Sequence, residues 1–436
     1  MSKYDTYKET DVIWFKELPA HWKRKRVKDV TQTLAGGTPD TSKEEYWEGS
    51  IPWLPSGKVQ NSIINEEDAD TFITEEGLKN SATKMLPAPA TLIALTGATC
   101  SNIGYLTFDA CANQSVVGMP GSSKILPKFL FYTLQSQKEQ ILLHQTGGAQ
   151  GGISESDVKF LFIPVPIESE QLTIANYLDD QTQKIDRLIA NKKAQAEKLK
   201  ELRQIEINNA VTKRLNPNAE MKDSGIEWLG KIPKHWTTKR MKDVASVRGR
   251  IGFRGYTVDD IVDEGALVIG AKHINSSNQL NFDDPEYISW EKYYESPEIM
   301  VEVGDVLIVQ RGSVGKFALV EKEIGPATIN PSMILLRLNT RIHPQFLFWY
   351  LLGEHMFNII KTIVSSTAVP MISQMQAGVF RIILPPKKEQ IEISNYLMER
   401  TTAIDQLIKN IEAQIEKLQE LRKIKIYEAV TGKKQK

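Results

Sequence analysis

The sequence predicts a mixed α/β protein written twice: two similar α/β domains in tandem, each followed by a long helix of the coiled-coil type. Three observations predict it. The chain repeats itself at nearly constant spacing. Short apolar runs closed by glycine alternate with helix-period segments. Two stretches almost free of glycine and proline carry apolar residues in sevens.

The repeat opens each half. Pro19, His21, Trp22, Arg26, Lys28, Asp29 and Val30 return as Pro233, His235, Trp236, Arg240, Lys242, Asp243 and Val244, and Trp14 returns as Trp228. Further on, Pro127, Phe129, Leu130 and Phe131 return as Pro344, Phe346, Leu347 and Phe348. Glu170-Gln171 matches Glu389-Gln390, Asn176-Tyr177-Leu178 matches Asn395-Tyr396-Leu397, and Ala210-Val211-Thr212 matches Ala429-Val430-Thr431. Residues 31–125 and 245–342 between these anchors align poorly. One frame with two different middles implies one task performed on two different targets.

Within each middle, Ala90–Leu95 and Asp305–Val309 are apolar runs closed by glycine, hence strands. Ile103–Phe108, Val116–Met119, Lys316–Val320 and Met333–Leu338 continue the sheet. Pro127 and Pro344 suit helix starts, and Phe129–Gln140 and Phe346–Ile360 carry helix-period apolar residues. Lys159–Val165 and Val379–Leu384 are read as closing strands. The heptad stretches follow. Leu178, Ile185 and Leu199 form one seam column and Leu188 and Leu202 its partner. The second copy has Leu397, Ile404 and Leu418 with Leu407 and Leu421, and Gln195 and Gln414 take equivalent polar seam positions. A helix of ~45 residues spans roughly 65–70 Å. Arg214–Gly225 reads as the linker. The chain thus divides into 1–167, 168–213, 214–386 and 387–436.

Composition narrows the function. At roughly 100–200 residues per domain, 436 residues predict two or three domains. Lys+Arg and Asp+Glu both number 54, so a wholly basic nucleic-acid-coating protein is excluded and a locally basic face is not. Cys100 and Cys111 fit neither a disulfide framework nor a four-ligand zinc site and are expected as buried thiols. No apolar run approaches the ~20 residues of a membrane span, and the start of the chain has no signal-like apolar region, so a cytoplasmic protein is expected.

The usual catalytic motifs are missing. Asn330-Pro331-Ser332-Met333 lacks the second proline and the aromatic of a methyltransferase motif. Gly315-Lys316 follows a strand, but Gln310 and Phe317 occupy the other defining positions of a P-loop. The six histidines show no metalloprotease spacing, and His21 and His235 are expected to pack at the domain entries. No metal site is expected.

What remains points to nucleic acid. Lys23-Arg24-Lys25-Arg26 is a basic run, and Arg248–Thr257 interleaves three arginines with glycines and aromatics. Arginine reads guanine bidentately and grips phosphate, while glycine admits close backbone approach. Arg311-Gly312-Ser313 ends a strand as Thr96-Gly97-Ala98 does in the first copy, and Gly36–Pro39 and Gly147–Gly152 are further small-residue loops. Acidic stretches such as Glu66–Asp70 are expected to face away.

These features, with Asp223-Ser224-Gly225-Ile226-Glu227-Trp228-Leu229-Gly230, resemble the specificity subunit of Type I restriction–modification systems over nearly the whole chain. The resemblance implies two target recognition domains, each reading half of a bipartite, asymmetric double-stranded DNA site. It implies two spacer helices packed antiparallel about a pseudo-two-fold axis. Two methyltransferase subunits, bringing S-adenosylmethionine and flipping the target adenine, and two ATP-driven restriction/translocase subunits would complete the assembly. The chain itself would be non-catalytic and bind no cofactor; S-adenosylmethionine, ATP and Mg belong to the partners. Candidate DNA contacts are Lys23, Arg24, Lys25, Gly37, Thr38, Lys58 and Gln150 in the first domain. In the second they are Arg248, Arg250, Arg254, Tyr256, Lys272 (matching Lys58), Arg311 and Ser313. A two-module interaction scaffold held apart by a coiled coil explains the repeat and heptads equally well, though not the arginine–glycine–aromatic loop, and a stand-alone DNA-binding regulator is a further alternative.

Overall fold

The structure is a computed structural model and describes residues 4–146, 151–213, 215, 218–226, 229–250, 255–365 and 370–433. It divides into two compact units: Met1–Lys193 with Ala413–Lys436, and Ala194–Glu412. Compactness therefore cuts the chain inside each long helix. Those helices run Glu168–Lys213 and Lys387–Thr431.

In the first unit, Leu34–Ala35, Val116–Pro120, Ala90–Ala94, Ile103–Leu106 and Ile63–Ile64 form a five-stranded sheet in that order. Ala90–Ala94 and Val116–Pro120 are buried at every position, which is why they read as continuous apolar runs rather than alternating ones. A second sheet places Trp47–Leu54 between Cys111–Ala112 and Phe72–Ile73. Both cysteines are buried and free. The second unit repeats the plan. Ala245–Arg248, Met333–Leu338, Val306–Val309 and Phe317–Leu319 make one sheet. Ile261–Val262, Tyr287–Ile288, Ala266–Ile269 and Ala327–Ile329 make the other.

The repeated anchors build the frame around these sheets. Lys23–Arg26 pairs antiparallel with Phe162–Val165, and Thr237–Arg240 with Arg381–Leu384, each pair forming a strap at the base of a unit. Asp29 accepts the backbone N–H of Arg26 at 3.0 Å, and Asp243 that of Arg240 at 2.9 Å. Gln171 is 1% exposed; its Oε1 receives Leu126 N at 2.8 Å and its Nε2 donates to Lys124 O and Pro166 O. Gln390 does the same with His343 N, Arg341 O and Pro385 O. These latches hold the helices that begin at Pro127 and Pro344. Glu170 meets His21 at 3.0 Å, and Glu389 meets His235 at 2.6 Å and Trp236 Nε1 at 2.9 Å.

Each core takes in the end of a long helix. Trp22, Phe129 and Leu178 pack in the first unit with Ile426, Ala429 and Val430. Trp236, Phe346 and Leu397 pack in the second with Ile207, Ala210 and Val211. Within the second unit, Arg203 bonds Asp405 at 2.9 Å and Glu206 bonds Arg400 at 3.3 Å, so the two helix segments run antiparallel. In the first unit Asp186 and Arg422, the repeat-related residues, meet at 3.0 Å.

Several expectations need correction. Leu178, Ile185, Leu397 and Ile404 are buried and Leu199 and Leu418 half-buried, but Leu188, Leu202, Leu407 and Leu421 are exposed. At about 100° per residue, Leu188 stands roughly 60° around the helix from Ile185, outside the inward stripe. Gln195 and Gln414 also face outward, and Ala196 takes the inner position. Each closing strand begins as a short helix, Glu155–Phe160 or Gln374–Val379, because Ser154 and Ser373 cap its first turn. The helices after Pro127 and Pro344 break after Ser136 and Leu351. The linker region contains a strand, Met221–Asp223, paired with Lys231–Pro233 as Tyr7–Glu9 pairs with Glu17–Pro19. The repeat of Trp14 at Trp228 lies outside the described residues.

Candidate nucleic-acid interface

Each unit gathers its loops in one cluster, and the same backbone bonds tie both clusters together. In the first, Asn113 N donates to Leu54 O at 3.0 Å, Leu95 N to Ser115 O at 2.8 Å, and Ile153 N to Leu95 O at 2.8 Å. In the second, Asn330 N donates to Ile269 O at 3.0 Å, Gln310 N to Ser332 O at 2.8 Å, and Ile372 N to Gln310 O at 3.0 Å. Asn113 and Asn330 accept the N–H two residues on, from Ser115 at 3.1 Å and Ser332 at 2.9 Å, in matching asparagine turns. Gly97 and Gly312 both have positive φ, 68° and 79°, with open space around the missing Cβ. Backbone conformation, not crowding, calls for glycine there.

The exposed tips on this shared frame differ. Thr96 stands where the second unit has Arg311, Gln114 where it has Pro331, and Gly152 where it has Met371. Thr96 Oγ1 donates to Ser115 Oγ at 2.8 Å, while Arg311 Nε lies against Met371 Sδ. Such a pair of clusters presents one geometry with two sets of hydrogen-bonding groups.

The predicted contacts separate into groups. Arg311 and Ser313 are exposed on the second cluster. Gly37 and Thr38 adjoin the first: Gly37 N donates to Ala112 O at 2.8 Å and Thr38 donates to Gln114. Gly37 itself is buried, and a Cβ there would meet Thr83 N at 2.4 Å, so its role is close backbone approach. Lys58 and Lys272 occupy equivalent loops and hold Asp70 at 2.6 Å and Asp284 at 2.8 Å. Asp70 thus turns toward a candidate contact, against the expectation that its acidic stretch faces away. The partner lysines hold the carboxyls of Asp70 and Asp284 below the usual carboxylate range, chiefly by hydrogen bonding.

Other predicted contacts are placed elsewhere. Lys23, Arg24 and Lys25 lie on the basal strap, where Arg24 pairs with Asp11 and lies 4.7 Å over the Phe162 ring. The basic run belongs to the frame, like its counterpart Lys239-Arg240. Arg248 is half-buried and donates to Glu298 O at 2.9 Å. Arg250 is 6% exposed and donates to Ile329 O at 3.2 Å and Thr328 Oγ1 at 3.0 Å. Its guanidinium lies 5.3 Å over the Tyr256 ring, and burial lowers its pKa. Tyr256 bonds Glu286 at 3.0 Å, and burial foremost, then that carboxylate, raises its pKa. An arginine so satisfied inside a core does not present its donors to a base, which corrects the expectation for Arg250. Gln150 and Arg254 lie outside the described residues. The sequence reading missed the asparagine turns and both aspartates; the signal was there in Asn-x-Ser standing at matching places in both halves.

Among the described residues no group of three or more His, Cys, Asp or Glu could hold a metal, and no helix is long and apolar enough to cross a membrane.

Two copies of one family model match the chain, at residues 19–198 and 233–417, and its description is Type I restriction modification DNA specificity domain. The chain belongs to this family. Each copy of the specificity domain contains a loop cluster and most of one long helix. The MjaVIII type I restriction enzyme specificity subunit of Methanocaldococcus jannaschii is 23% identical, over 98% of this chain and 96% of its own length. The EcoR124I/EcoR124II specificity subunit of Escherichia coli is 28% identical over 183 residues, 41% of this chain. That match spans 44% of the relative, less than half its length. A chain from a structure of complex assembly and conformational transition of the type I R-M system superimposes with a TM-score of 0.73 at 16% identity, covering 96% of this chain and 99% of that one. The likeness fits the tandem α/β architecture with its two long helices.

Proposed function

We propose that each loop cluster reads one half of a bipartite, asymmetric site in double-stranded DNA. The single observation that carries this reading is the duplicated loop frame with different residues at its tips. A common frame docks the same way on two half-sites, and different tips select different bases.

In this reading the chain is non-catalytic and acts in the cytoplasm. It directs two adenine methyltransferase subunits and two restriction/translocase subunits, which bind S-adenosylmethionine, ATP and Mg. The exposed helix leucines support a duplicated partner face. The first unit exposes Leu188, Leu421 and Ile424, and the second exposes the repeat-related Leu407, Leu202 and Ile205. The same apolar set appearing twice fits two copies of one partner.

The test is to co-express the chain with its cognate methyltransferase in cells lacking adenine methylation, and to map modified bases across the genome. A two-part motif with a fixed gap, methylated on opposite strands, is expected. Soluble complex with no new methylation would contradict the reading.

A further inference from the structure

Lys58 and Lys272 sit in short loops that directly follow Trp47–Leu54 and Ala266–Ile269. The last carbonyls of these strands, Leu54 O and Ile269 O, receive the asparagine-turn N–H, so both lysines stand beside their loop clusters. Each holds an aspartate twelve residues on, at 2.6 and 2.8 Å. The aspartate-bearing segments are tied back to the strands at equivalent points, Trp53 N to Thr71 O at 2.9 Å and Val268 N to Glu286 O at 2.8 Å, so Lys272 and Asp284 each stand one residue ahead of Lys58 and Asp70 in this register. The middles of the two halves align poorly, and the loop tips differ, yet a lysine–aspartate pair spans the same two segments in both.

Stability does not account for that recurrence. Asp70 and Asp284 are 65% and 87% exposed, and surface ion pairs contribute little to stability. A phosphate grip does not account for it either. A lysine whose charge is matched by a touching carboxylate neutralises little, and the carboxylate repels phosphate. A donor beside an acceptor instead matches the major-groove edge of a G·C pair, which offers the N7 and O6 acceptors of guanine next to the N4 amino donor of cytosine.

We propose that Lys58 with Asp70, and Lys272 with Asp284, each read a G·C pair in its own half-site, the lysine donating to guanine and the aspartate accepting from cytosine. This inference rests on the half-site reading above.

The experiment maps the methylated motif of the co-expressed complex for the intact chain and for K58A, D70N, K272A and D284N, with the thermal midpoint of each complex measured alongside. The intact chain is expected to require a G·C pair in each half. K58A and D70N are expected to relax that one position of the first half by about tenfold to a hundredfold, leaving the second half unchanged. K272A and D284N should do the converse, all with unaltered midpoints. An intact-chain motif without a G·C pair in each half overturns the assignment. So do variant motifs that stay unchanged. So does a uniform loss of methylation at all sequences, which marks a phosphate contact. An intact complex that methylates no two-part motif overturns the half-site reading and this assignment together, and is told apart from the other results by the intact chain alone.

Discussion

Arg250 carries its charge inside the second unit, where Ile329 O, Thr328 Oγ1 and the Tyr256 ring receive it. R250A leaves buried acceptors without a donor, at a cost of about 1–3 kcal/mol. Urea unfolding of the chain is expected to show that loss. An unchanged midpoint would mean that the guanidinium is free for DNA. His355 is a second buried group with a measurable consequence. Its ring packs 4.3 Å from Tyr350, and burial lowers its pKa from 6.5 to about 4. In the unfolded chain it protonates near 6.5, so below that pH the unfolded state takes up the proton first. The contribution is complete above pH 6.5 and is lost as the pH falls toward 4, to a total on the order of 3 kcal/mol. Urea midpoints of the wild type and H355N at pH 7.5 and 4.5 check this. The wild type should lose more stability than the variant across that interval, and equal losses would remove His355 from the account. The charged residues of the Arg248–Thr257 loop could not be sorted from sequence alone. Arginine is legible as a donor, but whether it points to solvent or to a carbonyl depends on strands far along the chain, such as Ala327–Ile329.

Among the elements, the frame was the most legible part, because its residues recur and each recurrence has a physical task. Gln171 and Gln390 show this. Each is buried and satisfies a helix-start N–H with two carbonyls besides. Q171A and Q390A are each expected to lower stability by about 2–3 kcal/mol, read as a drop in the urea midpoint without change in m. A loss within the ±0.5 kcal/mol usual for surface positions would deny them the latch role. The long helices were legible in length and position, but their seam was only half so. A seven-residue spacing is shared by an inward column and by one beside it. Only packing distinguishes Ile185, which is buried, from Leu188, which is 49% exposed. The exposed column carries its own prediction. L188D or L407D should leave the chain folded and reduce the methyltransferase copies bound, measured by native mass spectrometry, from two to one. Two bound copies in both variants would move the partner face elsewhere.

For the whole molecule, duplication is the governing feature. Each unit has two sheets, of five and three strands in the first and four and four in the second, with the same strap and latch and the same three bonds gathering its loops. The frame recurs in both units, and the tips differ on it. The sequence shows this division as anchors that align and middles that do not. It does not show which bases the proposed reading would assign to the tips, because hydrogen-bonding groups on loops carry no address of their own. On the proposed reading, each unit recognises its own half-site independently. The most direct measurement is to replace residues 31–165 with the corresponding segment of another specificity subunit and to map the methylated motif of the resulting complex. A motif with one half changed, and the other half and the gap retained, is expected. A motif altered in both halves, or in neither, would contradict the proposed reading.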